Sequence, residues 1–237
     1  MPYRRLPNTD QARIRALKAV VSKQDTSNLY DLPVSLKTLT EARNFLIRFE
    51  AAQTYYAQCF ERQSQAGRKH QANVKMARLY ISHFIQVLNL AVIRSELRVA
   101  HKAYYGLPAD STNVPDLSTE LTLIEWGRKI IDGEVRRTSQ GGIPIYNPTI
   151  AKVRVHYDIF VDSYGKQKNL QNLTARSLET LAAMRTTADE LILDIWNQVE
   201  KKFETVFPNE KRLDLCRDYG VIYYYRTGEK QKEELNE

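Results

Sequence analysis

Apolar residues recur every three or four positions along most of this chain, and two stretches carry the pattern without a proline. Pro33 and Pro108 bracket 74 residues whose only glycines are Gly67 and, two residues before Pro108, Gly106; Pro148 and Pro208 bracket 59 more whose only glycine is Gly165. Spacings of three and four put side chains on one face of an α-helix, so both stretches predict long helices that bury a stripe. The fold class that follows is all-α: an elongated antiparallel bundle of about six helices with a minor C-terminal β element. One domain is expected over residues 1–226, with a disordered tail over residues 227–237.

The element boundaries come from caps and breakers. A first helix is expected after Asn8 or Thr9, with Ile14, Leu17, Val20 and Val21 as its stripe, followed by a loop over residues 27–33. Thr38-Leu39-Thr40-Glu41 has capping-box spacing and predicts the start of a second helix, with Leu39, Ala42, Leu46, Phe49, Tyr56 and Phe60 turned inward. The polar residues 63–70, which include Gly67, predict a break. A third helix is expected over residues 71–105, with two adjacent apolar stripes: Val74, Ala77, Ile81, Leu88, Val92 and Val99, then Met76, Tyr80, Phe84, Val87 and Ala91. Gly106 and Pro108 supply its stop.

A fourth helix over residues 118–137 turns Leu121, Ile124, Ile130, Ile131 and Val135 inward, and its Gly127 and Gly133 would let another helix approach closely. Asn147-Pro148 predicts a cap and first position for a fifth helix, Gly165 its end, and residues 169–206 a sixth. Residues 221–226 give the strongest strand signal, expected to pair with residues 143–146 or with a second chain.

Composition narrows the class. With 43% hydrophobic and 27% charged residues the chain is globular rather than disordered. Cys59 and Cys216 are too few for a disulfide framework, which favours a reducing interior. No apolar core follows Arg4 and Arg5, and the most apolar run, residues 84–93, is about half a membrane span. A cytoplasmic protein without a membrane partner is the expectation. The net charge of +7 is uneven: residues 1–115 carry 17 Lys and Arg against 8 Asp and Glu, and the remainder 18 against 20.

The search for chemistry is mostly negative. None of His70, His83, His101 and His156 has a glutamate three residues before it, and neither H-E-x-x-H nor paired CxxC occurs, so no metal and no cofactor is expected. No nucleophile elbow, phosphate loop or kinase signature appears, and no catalytic residue is assigned. His83 and His156 read as core or interface histidines, with a ligand pocket shared with Trp196 as a weaker alternative. Two features suggest binding. Arg94, Arg98 and Lys102 are spaced i, i+4, i+8 and so share one face of the third helix, and Arg68, Lys69, Lys75 and Arg78 cluster near its start, which makes nucleic acid the alternative partner. Tyr223, Tyr224 and Tyr225 are consecutive, a composition favoured at protein interfaces.

The opening Met1-Pro2-Tyr3-Arg4-Arg5-Leu6-Pro7-Asn8-Thr9-Asp10, the closing Arg217-Asp218-Tyr219-Gly220-Val221-Ile222-Tyr223-Tyr224 and the block of residues 147–196 resemble those of uncharacterised all-helical proteins from gut bacteria. The resemblance implies a bacterial origin and carries no activity. The expected function is therefore a non-enzymatic interaction or scaffold protein that self-associates, as a homodimer, or binds another protein.

Overall fold

A computed structural model describes residues 2–26 and 32–225. The elements in chain order are β1 (Tyr3–Arg4), α1 (Asp10–Thr26), α2 (Leu36–Ile93), a 3₁₀ helix (Val99–Tyr105), α3 (Glu120–Ser139), α4 (Ile150–Lys202), α5 (Asn209–Asp218) and β2 (Tyr223–Tyr224). The protein is all-α with a minor β element. The expected disordered tail lies outside the described residues, as do residues 27–31 of the expected loop and Arg226 of the expected strand.

The chain packs as two compact units: Met1–Cys59 with Thr174–Glu237, and Phe60–Leu173. In the first, Leu17 and Val20 of α1 meet Leu39, Phe45 and Phe49 of α2, Ile192, Ile195, Trp196 and Val199 of α4, and Cys216. Two forked ion pairs fix α1 on α4: Arg13 donates to both Asp189 oxygens at 2.7 and 2.9 Å, and Arg185 to both Asp10 oxygens at 2.9 and 2.8 Å. In the second unit, Ala77, Ile81, Phe84, Ile85 and Leu88 of α2 meet Leu123 and Ile130 of α3, Val153 and Phe160 of α4, and Tyr105.

Several boundaries differ from the sequence reading. The predicted breaks at residues 63–70 and at Gly165 are absent, because one glycine costs a helix about 1 kcal/mol and tertiary contacts outweigh that. His70, inside the supposed break, is buried and bonded on both ring nitrogens. α2 begins two residues earlier than expected, with Ser35 Oγ accepting from Thr38 N at 3.2 Å. Pro148 precedes α4, whose first turn is capped by Thr149 Oγ1 accepting from Lys152 N at 3.4 Å. Phe60, Leu121 and Val135, expected inside, are exposed.

The most consequential difference is the stop at Ile93. Glu96 N donates to Ala91 O at 2.9 Å and Ser95 N to Val92 O at 3.0 Å, the paired bonds of a Schellman cap. Ser95 holds the left-handed position at φ 60°. Glycine normally occupies that position, so its absence hid the cap from the sequence reading. Ser95→Gly removes the Cβ penalty and is expected to raise stability by about 0.5–1 kcal/mol, read as a higher urea midpoint. A lower midpoint would show that Ser95 makes a compensating contact.

β2 pairs with β1, not with residues 143–146: Tyr3 faces Tyr224 and Arg4 faces Tyr223 in antiparallel register. The strand's pairing need is met inside the chain.

Candidate interaction surface

The expected basic face on α2 does not form. Arg94 and Arg98 lie past the helix end, and Arg94 is neutralised by Glu96 at 2.8 Å. Lys102 is 1% exposed in the 3₁₀ helix, where its Nζ donates to Ser111 O at 2.7 Å. Arg78 is also turned to structural use, donating to Leu117 O and Ser118 O, each at 2.9 Å. Asn89 Nδ2 adds a bond to Thr112 O at 2.8 Å. These three side chains pin the loop before α3 by carbonyls that accept no backbone hydrogen bond among the described residues. Arg68, Lys69 and Lys75 remain exposed on α2.

The tyrosines divide by face. Tyr223 points inward, donating to Glu200 Oε1 at 2.6 Å beside the Arg4–Glu200 ion pair at 3.2 Å. Tyr224 is exposed and lies against Tyr3 at 6.0 Å between ring centroids, while Tyr225 is half-buried. A cleft of about 560 Å³ adjoins this ribbon, lined by Tyr3, Arg4, Asn197, Glu200, Lys201 and Arg212 among others. Arg4 there is also bonded to Asn197 at 2.8 Å.

Sequence reading missed two polar clusters. The first is His70, whose Nε2 bonds Glu120 at 2.9 Å and Nδ1 bonds Ser163 at 2.8 Å, joining α2, α3 and α4. Its order of acid, histidine and hydroxyl suggests a nucleophile, yet Ser163 Oγ also donates to Phe160 O at 2.8 Å. Ser163 lies in the interior of continuous α4, whose backbone N–H groups are engaged in the helix and cannot form an oxyanion hole. The cluster acts as a tie between helices.

The second is Glu134, Arg137 and Tyr105, all fully buried. Arg137 forks onto Glu134 at 2.9 and 3.0 Å, and the Tyr105 hydroxyl donates to Glu134. The pair then clamps the next loop: Ile145 N donates to Glu134 at 3.0 Å, and Arg137 donates to Ile143 O at 2.8 Å. Ile145 is thereby held inside while Ile143 and Tyr146 stand out at 75% and 72% exposure.

Tyr105 and Tyr223 both titrate above the ordinary 10.0, because burial disfavours the phenolate and a glutamate accepts from the neutral hydroxyl. The folded pKa values are raised, so this contribution is complete below the unfolded value and is lost as pH climbs above about 10. A urea midpoint that is flat at neutral pH and falls above that value is expected, with a smaller fall in Tyr105→Phe/Tyr223→Phe. An equal fall in both proteins would assign the alkaline loss to other groups.

His83 is exposed, His156 stacks on Tyr80 with centroids 4.1 Å apart, and Trp196 is buried in the first unit's core. His83 and His156 thus belong to the second unit and Trp196 to the first. Among the described residues no group of three or more His, Cys, Asp or Glu is placed to hold a metal ion.

The clearest unpartnered surface is on α2 itself. An 18-residue window of this helix reaches a mean hydropathy of 1.4 with only 39% of it buried, a combination of length and composition that a membrane span would share. Met76, Leu79, His83, Gln86, Leu90 and Ile93 follow at spacings of three and four, and all six are exposed. Leu79 is 57% and Ile93 62% exposed. By helical geometry this stripe lies opposite Ala77, Ile81, Phe84 and Leu88, which are buried. The helix is apolar on two sides and the fold uses one.

The fold thus defines an all-helical protein with a small terminal ribbon and an apolar outer stripe. No family model, curated protein or solved structure matches the chain.

Proposed function

We propose that the chain is a non-enzymatic interaction or scaffold protein of the cell interior, working through the outer face of α2. The observation that supports this reading is the exposed stripe of Met76, Leu79, Leu90 and Ile93 opposite the buried one. Solvent-facing apolar residues in a sustained three-four pattern match a surface that another helix covers. A photo-crosslinking residue placed at Leu79 or Leu90, expressed in source cells, is expected to give a few discrete protein adducts. The same group at Lys152, an exposed residue of α4, serves as the control. Lipid adducts alone, or equal labelling at all three positions, would remove the reading.

Self-association is a second reading, favoured by the exposed Tyr3 and Tyr224 pair on the ribbon's outer face. Light scattering that shows two chains per particle, and one after Tyr3→Ser/Tyr224→Ser, is the expected result. A single chain at all concentrations would end it.

A further inference from the structure

The α2 stripe continues toward the N-terminal side into a differently charged surface. Arg68, Lys69 and Lys75 are exposed there, and among the described residues none of them has an ion-pair partner. Arg68 and Lys75, two helical turns apart, lie in line with Leu79, Gln86 and Ile93, and Lys69 lies in line with Met76, His83 and Leu90. One outer face therefore carries three uncompensated cations and then an apolar seam. We infer that this face takes an acidic amphipathic helix of another protein, laid along α2 with its apolar seam on Leu79 and Leu90 and its acidic turn on Arg68, Lys69 and Lys75. The inference rests on the docking reading of α2 and adds the chemistry of the partner.

Charge argues against a second copy on this face. Paired in parallel, the copies would set the three cations against themselves. Paired antiparallel about a point between His83 and Gln86, Met76 would meet Ile93, but Lys75 would then meet Arg94 of the other copy. Between Glu61 and Glu96 the chain carries no acid, and Glu96 is already bound to Arg94 at 2.8 Å. Neither arrangement supplies the missing negative charge. The middle of the seam argues against a lipid surface. His83 and Gln86 sit between the apolar pairs, where a bilayer would have to bury them without partners. A polar residue on a facing helix can bond them and fix the register.

The test is a displayed library of 24-residue helices with leucine at the seam, one central polar position, and flanking positions varied among Glu, Gln and Lys. The full chain is used for sorting. Enrichment of glutamate at the end that lies on Arg68, Lys69 and Lys75 is expected, with a selected peptide losing about fivefold in affinity against Arg68→Glu/Lys75→Glu. A lysine-for-glutamate version of the peptide should recover binding to that variant. Binders lost on Leu79→Glu but showing no acidic preference would overturn the charge assignment and leave the docking reading standing. Binders indifferent to Leu79→Glu would overturn both. Anionic phosphatidylglycerol vesicles and light scattering are run in parallel. Vesicle binding without peptide binding, or a dimer dissolved by Leu79→Glu, would replace the acidic helix by a lipid surface or a second copy. Circular dichroism checks that each variant folds, and the paired peptides on the unaltered protein decide the charge question independently of any variant.

Discussion

Glu134→Ala should lower the stability of this protein by about 3–5 kcal/mol, the range for removing one partner of a buried ion pair. The deletion strands Arg137, whose side chain is 1% exposed and keeps only Tyr105 and the Ile143 carbonyl as partners. It also strands Ile145 N, which donates to Glu134 at 3.0 Å. Against a typical total of about 5–15 kcal/mol the loss is large. Urea unfolding measures it, and proteolysis localises it: the segment of residues 141–146 is expected to become the first cleavage site. Glu134→Leu/Arg137→Leu removes both charges and fills the space, and should recover much of the loss. If the double variant is as weak as the single one, the loop depends on the clamp's hydrogen bonds more than on charge balance. A Glu134→Ala protein within about 1 kcal/mol of the original would refute the clamp.

The same cluster shows why sequence reading placed the elements and missed the polar sites. Burial at Ile81, Phe84 and Leu88, and at Leu17 and Val20, follows from helical spacing and was legible. Gly106 was legible as a stop because glycine belongs at its φ of 67°, whereas Ser95 holds an equivalent left-handed position with an ordinary residue. That single substitution made α2 seem to extend to Tyr105, and with it the alignment of Arg94, Arg98 and Lys102 on one face. His70 and Glu120 are 50 positions apart, and Glu134 and Tyr105 are 29 apart. No local pattern links such pairs. The outer stripe was half-legible: Met76 stood out as apolar at helical spacing and was assigned to the core, because periodicity reports that a helix has an apolar side and not which of two sides is covered.

Glycine to alanine at position 133 should destabilise the protein by about 2 kcal/mol, although helix propensity alone predicts a gain of about 1 kcal/mol. The two effects have opposite signs, and the surroundings decide between them. A Cβ on Gly133 would stand 2.6 Å from Tyr104 O and 2.7 Å from the Tyr105 ring. The first is backbone of the 3₁₀ helix, which cannot move without dragging Tyr105 off Glu134. Steric cost therefore exceeds propensity there. Gly165 is the matched control, in the interior of α4 with nothing within 4 Å of the added carbon. Gly165→Ala is expected to stabilise by about the full 1 kcal/mol. The measurement is a pair of urea midpoints: one should fall and the other rise. A rise in both would mean that the 3₁₀ helix yields at little cost and that α3 does not hold Tyr105 rigidly on the buried ion pair. A fall in both would mean that the added methyl at 165, with nothing within 4 Å of it in the chain, meets a second copy of the protein in the same solution.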